Sequence, residues 1–98
     1  LKTGMTNIPQ KIFEFDFRSM VTDATISPDK NYLAVLTYDY IWLFDIKNKK
    51  LENIFSKYYS KQISLGQCEG ISFLDTNTLL ISNEEGYLFK LGLNDILK

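Results

Sequence analysis

The feature that most constrains this 98-residue chain is an internal repeat. Three short segments recur in the same order, with separations of 47, 46 and 45 residues: ATISPD (24–29) with ISFLD (71–75, one residue shorter), LAV (33–35) with LLI (79–81), and WLFDI (42–46) with YLFKL (87–91). A period near 45 predicts two copies of one supersecondary unit, which stack on each other to bury an apolar face.

The local patterns predict β-structure throughout. Helical periodicity is weak, and short β-branched and aromatic runs are bounded by turn residues such as Ser27-Pro28-Asp29-Lys30-Asn31. We predict strands at 11–17, 21–27, 32–37, 41–46, 51–55, 69–73, 78–82 and 86–93. The predicted fold class is therefore all-β with antiparallel four-stranded sheets, and the alternative is an unrelated sandwich of the same eight strands.

Composition excludes several kinds of chemistry. The chain contains no histidine, which excludes Ser-His-Asp and Cys-His catalysis and histidine-ligated zinc. The net charge of -1 provides no field for nucleic acid, so no nucleic-acid partner is expected. The single cysteine, Cys68, has no partner for an internal disulfide, and its acidic neighbour disfavours a thiolate nucleophile. No apolar run is long enough to span a membrane.

The first repeat, VTDATISPDKNYLAVLTYDYIWLFDI, resembles a blade of the WD-repeat family of β-propellers. In that pattern an inner strand ends in SPD, a second strand reads YLAV, and Phe44-Asp45 stands where Trp-Asp stands in true WD repeats. The second copy has Phe89-Lys90 there, and the Gly-His pair of many WD blades is missing. The resemblance, over about residues 11–93, is therefore to the looser WD-like or YVTN-like propellers.

The resemblance implies a blade organisation for the strands. Residues 11–17 would be the outer strand of a preceding blade, 21–55 a complete blade and 69–93 an incomplete second blade. Because propellers typically need 4–8 blades, we expect a piece of a larger propeller or an assembly of several copies. In either case the free edge of 86–93 is predicted to pair with 11–17, across a homo-oligomer contact if copies assemble.

Acidic residues should gather at one rim of such blades: Asp23, Asp39, Glu69, Glu84 and Glu85. Clustered carboxylates suit Ca²⁺, which takes 6–8 oxygen ligands. The second repeat, CEGISFLDTNTLLISNEEGYLFKL, is also similar to segments of β-propeller phytases, which implies that Glu69 and one of Glu84 or Glu85 bind calcium. The alternative is that these acids are solvated loop residues.

The loop Tyr38-Asp39-Tyr40 is predicted to carry exposed recognition residues for a ligand. Trp42 and Phe44 alternate onto one face of a strand, and we interpret them as core between blades rather than as a ligand platform. Cofactors other than calcium are not expected.

Three functions remain open from the sequence. The first is a non-catalytic scaffold that binds a protein, peptide or glycan, favoured because no catalytic constellation is present. The alternative is a piece of a calcium-dependent propeller hydrolase, phytase-like or lactonase-like. The third is a purely structural segment. Because many bacterial WD-like propellers are exported, the resemblance favours a periplasmic, secreted or cell-surface location.

Overall fold

The computed structural model describes residues 15–50 and 53–97, and the prediction of an all-β, antiparallel fold is confirmed in them. Seven strands follow one another along the chain: β1 (Val21–Ile26), β2 (Tyr32–Thr37), β3 (Tyr40–Asp45), β4 (Tyr58–Gln62), β5 (Cys68–Asp75), β6 (Thr78–Asn83) and β7 (Leu88–Gly92). A short 3-10 helix, Leu93–Asp95, follows β7. No helix within these ranges is long and apolar enough to cross a membrane.

The strands form two antiparallel sheets in chain order. The first sheet has the order β1-β2-β3-β4, and the second has the order β5-β6-β7. Strands β1 and β2 of the first sheet pack against β5 of the second. Each sheet is a meander of neighbouring strands, the topology that closely spaced turns favour.

The core lies between the two sheets. Strands β2 and β3 are almost continuously apolar, as expected for strands with both faces covered. Their cross-strand pairs Ala34–Leu43 and Leu36–Ile41 face the second sheet and are fully buried. The second sheet and its flanking loops add the remaining core members: Ile63, Cys68, Ile71, Leu79, Ile81, Leu93 and Ile96.

The internal repeat corresponds to these two sheets. Strands β1 and β5 each carry a β-bulge, at Thr22 and at Glu69, and the two bulged residues are 47 positions apart. The fully buried Leu43 of β3 corresponds to Leu88 of β7, which is 71% exposed on the outer face of the second sheet. Equivalent residues therefore point in the same direction in both sheets. On that side the second sheet covers the first, whereas no described element covers the second sheet.

Two predicted strands differ from the structure. Residues 51 and 52 lie outside the described ranges, and 53–57 form turns in which Asn53 N–H donates to Lys50 O at 2.8 Å. The fourth strand of the first sheet is β4 instead, and the prediction of a strand at 51–55 was wrong for its described residues, 53–55. The centroid of the Phe55 ring lies 4.8 Å from that of Phe44, so this half-buried apolar residue is held by ring packing rather than by strand pairing.

The second difference concerns residues 11–17. Residues 11–14 lie outside the described ranges, and 15–17 do not belong to a strand. Phe15 and Phe17 lie against the face of the first sheet that points away from the second sheet, with their ring centroids 5.1 and 6.0 Å from that of Phe44. These two residues therefore do not pair with β7.

The turn between β1 and β2 is organised by Ser27, which is buried although it is polar. Its hydroxyl donates to Asp29 Oδ1 at 2.6 Å and accepts the backbone N–H groups of Asn31 and Tyr32. Lys30 adopts a positive φ of 63°, which closes the turn at the cost of local strain. The sequence signal for a turn at this point is confirmed.

These hydrogen bonds predict a pH effect at Asp29. The Ser27 hydroxyl, and after it the Asn31 N–H, lower the pKa of the Asp29 carboxyl below its usual 3.8. Because this pKa is lower in the folded state, the ionised carboxylate stabilises the fold above pH 3.8, and the contribution is lost as pH falls through the lowered value. In a carbon-detected NMR titration, Ser27→Ala should raise the Asp29 pKa toward 3.8. Ser72→Ala, on the far face of the second sheet, should leave it unchanged.

Candidate binding site

An open groove of about 550 Å³ lies on the face of the first sheet that points away from the second sheet. One wall is the segment 15–19, and the floor is formed by β3 and β4. Its lining residues are Phe15, Asp16, Phe17, Arg18, Ser19, Asp39, Tyr40, Trp42, Tyr58 and Ser60. We call this surface the aromatic groove, and its volume lies within the range typical of ligand pockets.

The centre of the aromatic groove is Trp42. The Phe15 and Phe17 rings approach it edge-on, with centroids 5.4 and 5.7 Å away. The Tyr58 ring lies at 5.7 Å and the Tyr40 ring at 6.0 Å in tilted orientations. Such T-shaped and tilted contacts hold the rings in place without covering every face, because the ring edges are attracted to neighbouring π-faces.

The indole Nε1 of Trp42 is buried and has no hydrogen-bond partner among the residues that the structure describes. Most buried N–H groups in proteins are paired, and an unpaired one costs about 1–3 kcal/mol. The sequence predicts Trp42 to be core between blades, and the structure instead places it in a groove.

Charged groups stand at the margin of the aromatic groove. The carboxylates of Asp16 and Asp39 and the guanidinium of Arg18 all belong to its lining. Asp16 Oδ1 accepts the backbone N–H of Arg18 at 2.9 Å, in a turn where Arg18 has a positive φ of 59°. The Asp39 backbone carbonyl accepts the Ile63 N–H at 2.8 Å, which fixes the loop. Because the margin contains two carboxylates and one guanidinium, its formal charge is -1.

The predicted recognition residues are divided between two surfaces. Asp39 and Tyr40 line the aromatic groove. Tyr38 points to the other side, where its hydroxyl donates to Met20 Sδ at 3.6 Å and where it lines a shallow depression of about 290 Å³ with Thr22, Gln67 and Glu69. Because Tyr38 and Tyr40 are two residues apart around a tight β2–β3 turn, their side chains diverge.

The structure brings the predicted rim acids to one end of the sheets. Glu69 lies at the start of β5 and Glu84 and Glu85 in the β6–β7 turn, where Glu84 N–H donates to Gln67 O at 3.0 Å. Glu69, however, occupies the bulge and is equivalent to Thr22. Asp23 is equivalent to Gly70 and faces the second sheet, so Asp23 and Glu69 are not at matching positions.

Asp23 joins the two sheets. Its Oδ2 accepts the backbone N–H of Ile71 in β5 at 2.9 Å, and its Oδ1 accepts the N–H of Ala24 at 2.9 Å. A glycine at position 70 is required by Ser82 rather than by Asp23, since a Cβ there would lie 2.7 Å from Ser82 Oγ but 3.8 Å, an ordinary contact, from Asp23 Oδ2. Both carboxylate oxygens are therefore already hydrogen-bonded to backbone groups.

No group of three or more Cys, Asp and Glu side chains within 15–50 and 53–97 is arranged to hold a metal ion. The calcium assignment of Asp23, Glu69, Glu84 and Glu85 stays a prediction, to which this geometry adds no support. Sharing one end of a sheet does not bring carboxylates within coordination distance of a common ion.

Cys68 belongs to the core and is fully buried. Burial, and secondly the charge of Asp39, raise the pKa of its thiol above the usual value. The predicted direction is correct, but the causes are burial and Asp39 rather than the neighbouring Glu69. A protonated, buried thiol is a poor nucleophile.

Three features of the described residues are not identified by the sequence. Phe15 and Phe17 fall in a predicted strand, although their alternation also fits two rings directed to one surface. Tyr58 lies in a segment to which the sequence assigns no element. The pattern at Asn83 indicates a simple turn, yet its buried amide donates to Leu65 O at 2.8 Å and accepts the N–H groups of Glu85 and Tyr87.

Comparison with known proteins assigns no relative to this chain: no family profile, no curated protein and no solved structure matches it. The fold defines an all-β protein of two stacked antiparallel sheets with an aromatic groove on its outer face. Inference about function therefore depends on the chemistry of the groove.

Proposed function

We propose that this chain is a non-catalytic binding module of the WD-like propeller-blade type, whose ligand occupies the aromatic groove. The observation that carries the proposal is the convergence of Phe15, Phe17, Tyr40, Trp42 and Tyr58 on one open groove. Rigid aromatic walls with a few polar groups at the margin are the usual composition of a binding site.

The blade assignment draws support from the internal repeat. Its two copies form two sheets that stack with equivalent residues on equivalent faces, as successive blades do. A binding role draws support from the residues in the groove, because tyrosine, tryptophan and arginine are the side chains that dominate binding energy at interfaces.

The ligand group that best fits the groove is a cationic side chain of a partner protein or peptide. Aromatic rings attract cations through their negative π-faces, by about 0.5–2 kcal/mol for each close contact. The negative charges of Asp16 and Asp39 exceed the single positive charge of Arg18, so the margin attracts a positively charged ligand group. A glycan would use the same rings but would gain nothing from the excess of carboxylates.

Titration with N-acetyl-arginine amide tests the proposal. Trp42 is the single tryptophan of the chain, so its intrinsic fluorescence reports on the groove alone. We expect a saturable change in Trp42 emission with a Kd of about a millimolar, because one small ligand carries limited binding free energy. The neutral isostere N-acetyl-citrulline amide should bind at least about fivefold more weakly.

Asp39→Asn is the informative variant, since no hydrogen bond of its side chain would be lost from the described fold. It should weaken arginine binding several-fold and leave citrulline binding unchanged, whereas Asp95→Asn at the other end of the chain should alter neither. Equal binding of arginine and citrulline, or no response of Trp42 emission to either, would contradict the proposal.

The hydrolase alternative has no comparable observation in its favour. Its predicted ligand Asp23 is already bonded to Ile71 and Ala24, and the chain contains no histidine to serve as a general base.

A further inference from the structure

The second sheet ends at a strand whose counterpart in the first sheet is paired on both edges. By the repeat, β7 corresponds to β3, and β3 pairs with β2 on one side and with β4 on the other. Strand β7 pairs with β6, and no strand within the described ranges pairs with its other edge. After β7 the chain turns into the helix Leu93–Asp95, which directs Leu93 and Ile96 into the core rather than along this edge.

An open edge of this kind exposes backbone donors and acceptors. In an antiparallel sheet, alternate residues of an edge strand point their N–H and C=O groups away from the paired neighbour. Such groups are available to any extended segment that can match their spacing.

A second groove, of about 300 Å³, lies beside this edge between the two sheets. We call it the rim groove. Its apolar lining consists of Ile63, Leu65, Ile81, Phe89 and Leu91. The charged residues in its lining are Lys61 and Lys90, and no acidic residue belongs to it.

The first sheet indicates how a fourth strand would use this space. In β4, Tyr59 pairs with Leu43 and packs on the core between the sheets, while its neighbours Tyr58 and Ser60 point to the opposite face. A strand added to β7 would likewise direct every second side chain into the rim groove.

We propose that the open edge of β7 binds an extended segment of a partner protein as an additional β-strand, with alternating apolar and acidic side chains. Backbone hydrogen bonds to β7 provide the affinity, and the apolar side chains fill the rim groove. The acidic side chains of the added strand point to the face of β7 opposite Phe89 and Leu91, where Lys90 attracts them, and no carboxylate belongs to the groove lining. This site is distinct from the aromatic groove and has the opposite charge preference.

The probe is a fluorescein-labelled peptide of sequence Thr-Val-Glu-Val-Glu-Val-Thr with blocked termini, followed by fluorescence anisotropy and by amide NMR of the full chain. We expect binding that weakens as salt increases, with slowed hydrogen exchange at outward-facing amides of Leu88–Gly92. A peptide N-methylated on the amides of one edge should lose binding, because it cannot complete the ladder. A peptide with Lys in place of Glu should bind at least about tenfold more weakly.

Lys90→Glu should weaken binding of the acidic peptide by about fivefold, and Lys49→Glu, which makes the same change in net charge on the β3–β4 connection, should not. Asp39→Asn should bind the peptide normally, which separates this site from the proposed function of the aromatic groove. Circular dichroism of each variant shows whether it is folded.

Three results would overturn the proposal. Protection of the β7 edge amides in the free protein at all concentrations would mean that the chain's own residues occupy the edge. Protection that grows with protein concentration would assign the edge to a second copy. Equal binding of the N-methylated and unmodified peptides would exclude strand addition.

Discussion

Leu43→Ala is expected to lower the free energy of unfolding by about 2–5 kcal/mol, as truncation of a fully buried leucine generally does. Leu43 is fully buried between the sheets and pairs with Ala34 in β2 and with Tyr59 in β4. Truncation removes its contacts and leaves a cavity that the packed strands cannot close. A small domain has only about 5–15 kcal/mol in total, so the variant should be close to unfolding.

The repeat supplies a matched control in Leu88→Ala. Leu88 is the same residue type at the equivalent position, but 71% of its surface is exposed. Its truncation should change stability by less than about 0.5 kcal/mol. Urea unfolding followed by Trp42 fluorescence and far-UV circular dichroism measures both variants. Similar losses for the two would mean that the sheets do not stack through the Leu43 face.

Asp23→Ala is expected to cost about 1–3 kcal/mol, because it leaves the Ile71 N–H without its acceptor across the sheet interface. The effect should be larger than that of Glu84→Ala, which removes a carboxylate from the same end of the sheets without removing a described side-chain hydrogen bond. Amide exchange at Ile71 should accelerate in Asp23→Ala and stay unchanged in Glu84→Ala.

The same variant separates the structural role of Asp23 from the predicted calcium role. Thermal melting of the native chain should be insensitive to added calcium chloride, and Asp23→Ala should melt at a lower temperature with or without calcium. A calcium-dependent rise in melting temperature that disappears in Asp23→Ala would instead make Asp23 a metal ligand.

Much of the strand order could be predicted because it depends on local signals. The runs 32–37 and 41–46 are apolar and β-branched or aromatic, and the turn between β1 and β2 contains Ser27, Pro28 and Asp29. The predicted ranges therefore agree with β2 and β3 to within one residue. The repeat also aligned the strands of the two sheets correctly, because side chains alternate between the two faces of the sheet in the same order in both copies.

The errors occurred where local preference was neutral. Residues 51–55 and 58–62 are both plausible strands by composition, and the choice of 58–62 depends on which segment lies beside β3 while Phe55 packs on Phe44. The assignment of 11–17 to a strand failed at Phe15 and Phe17 because an alternating aromatic run is compatible with either a strand ladder or an apolar surface.

The candidate site likewise contains some residues that the sequence identified and others that it missed. Tyr40 and Asp39 were identified because aromatic and charged residues at a turn are exposed wherever the turn lies. Phe15 and Tyr58 were missed because they are far apart in sequence and their rings meet, 5.1 Å apart, only in the folded chain. Asp23 was singled out as an acid, but its role depends on a backbone N–H that lies 48 residues away.

The sequence by itself determined the all-β class, the two-copy organisation, the alternation of faces and the exclusion of histidine chemistry, since these depend on residue type and short-range spacing. Tertiary structure alone decided which face of each sheet is covered, which segment became the fourth strand, and where the aromatic rings meet. These outcomes depend on contacts between distant segments, whose free energy is set by packing and cannot be read from local pattern.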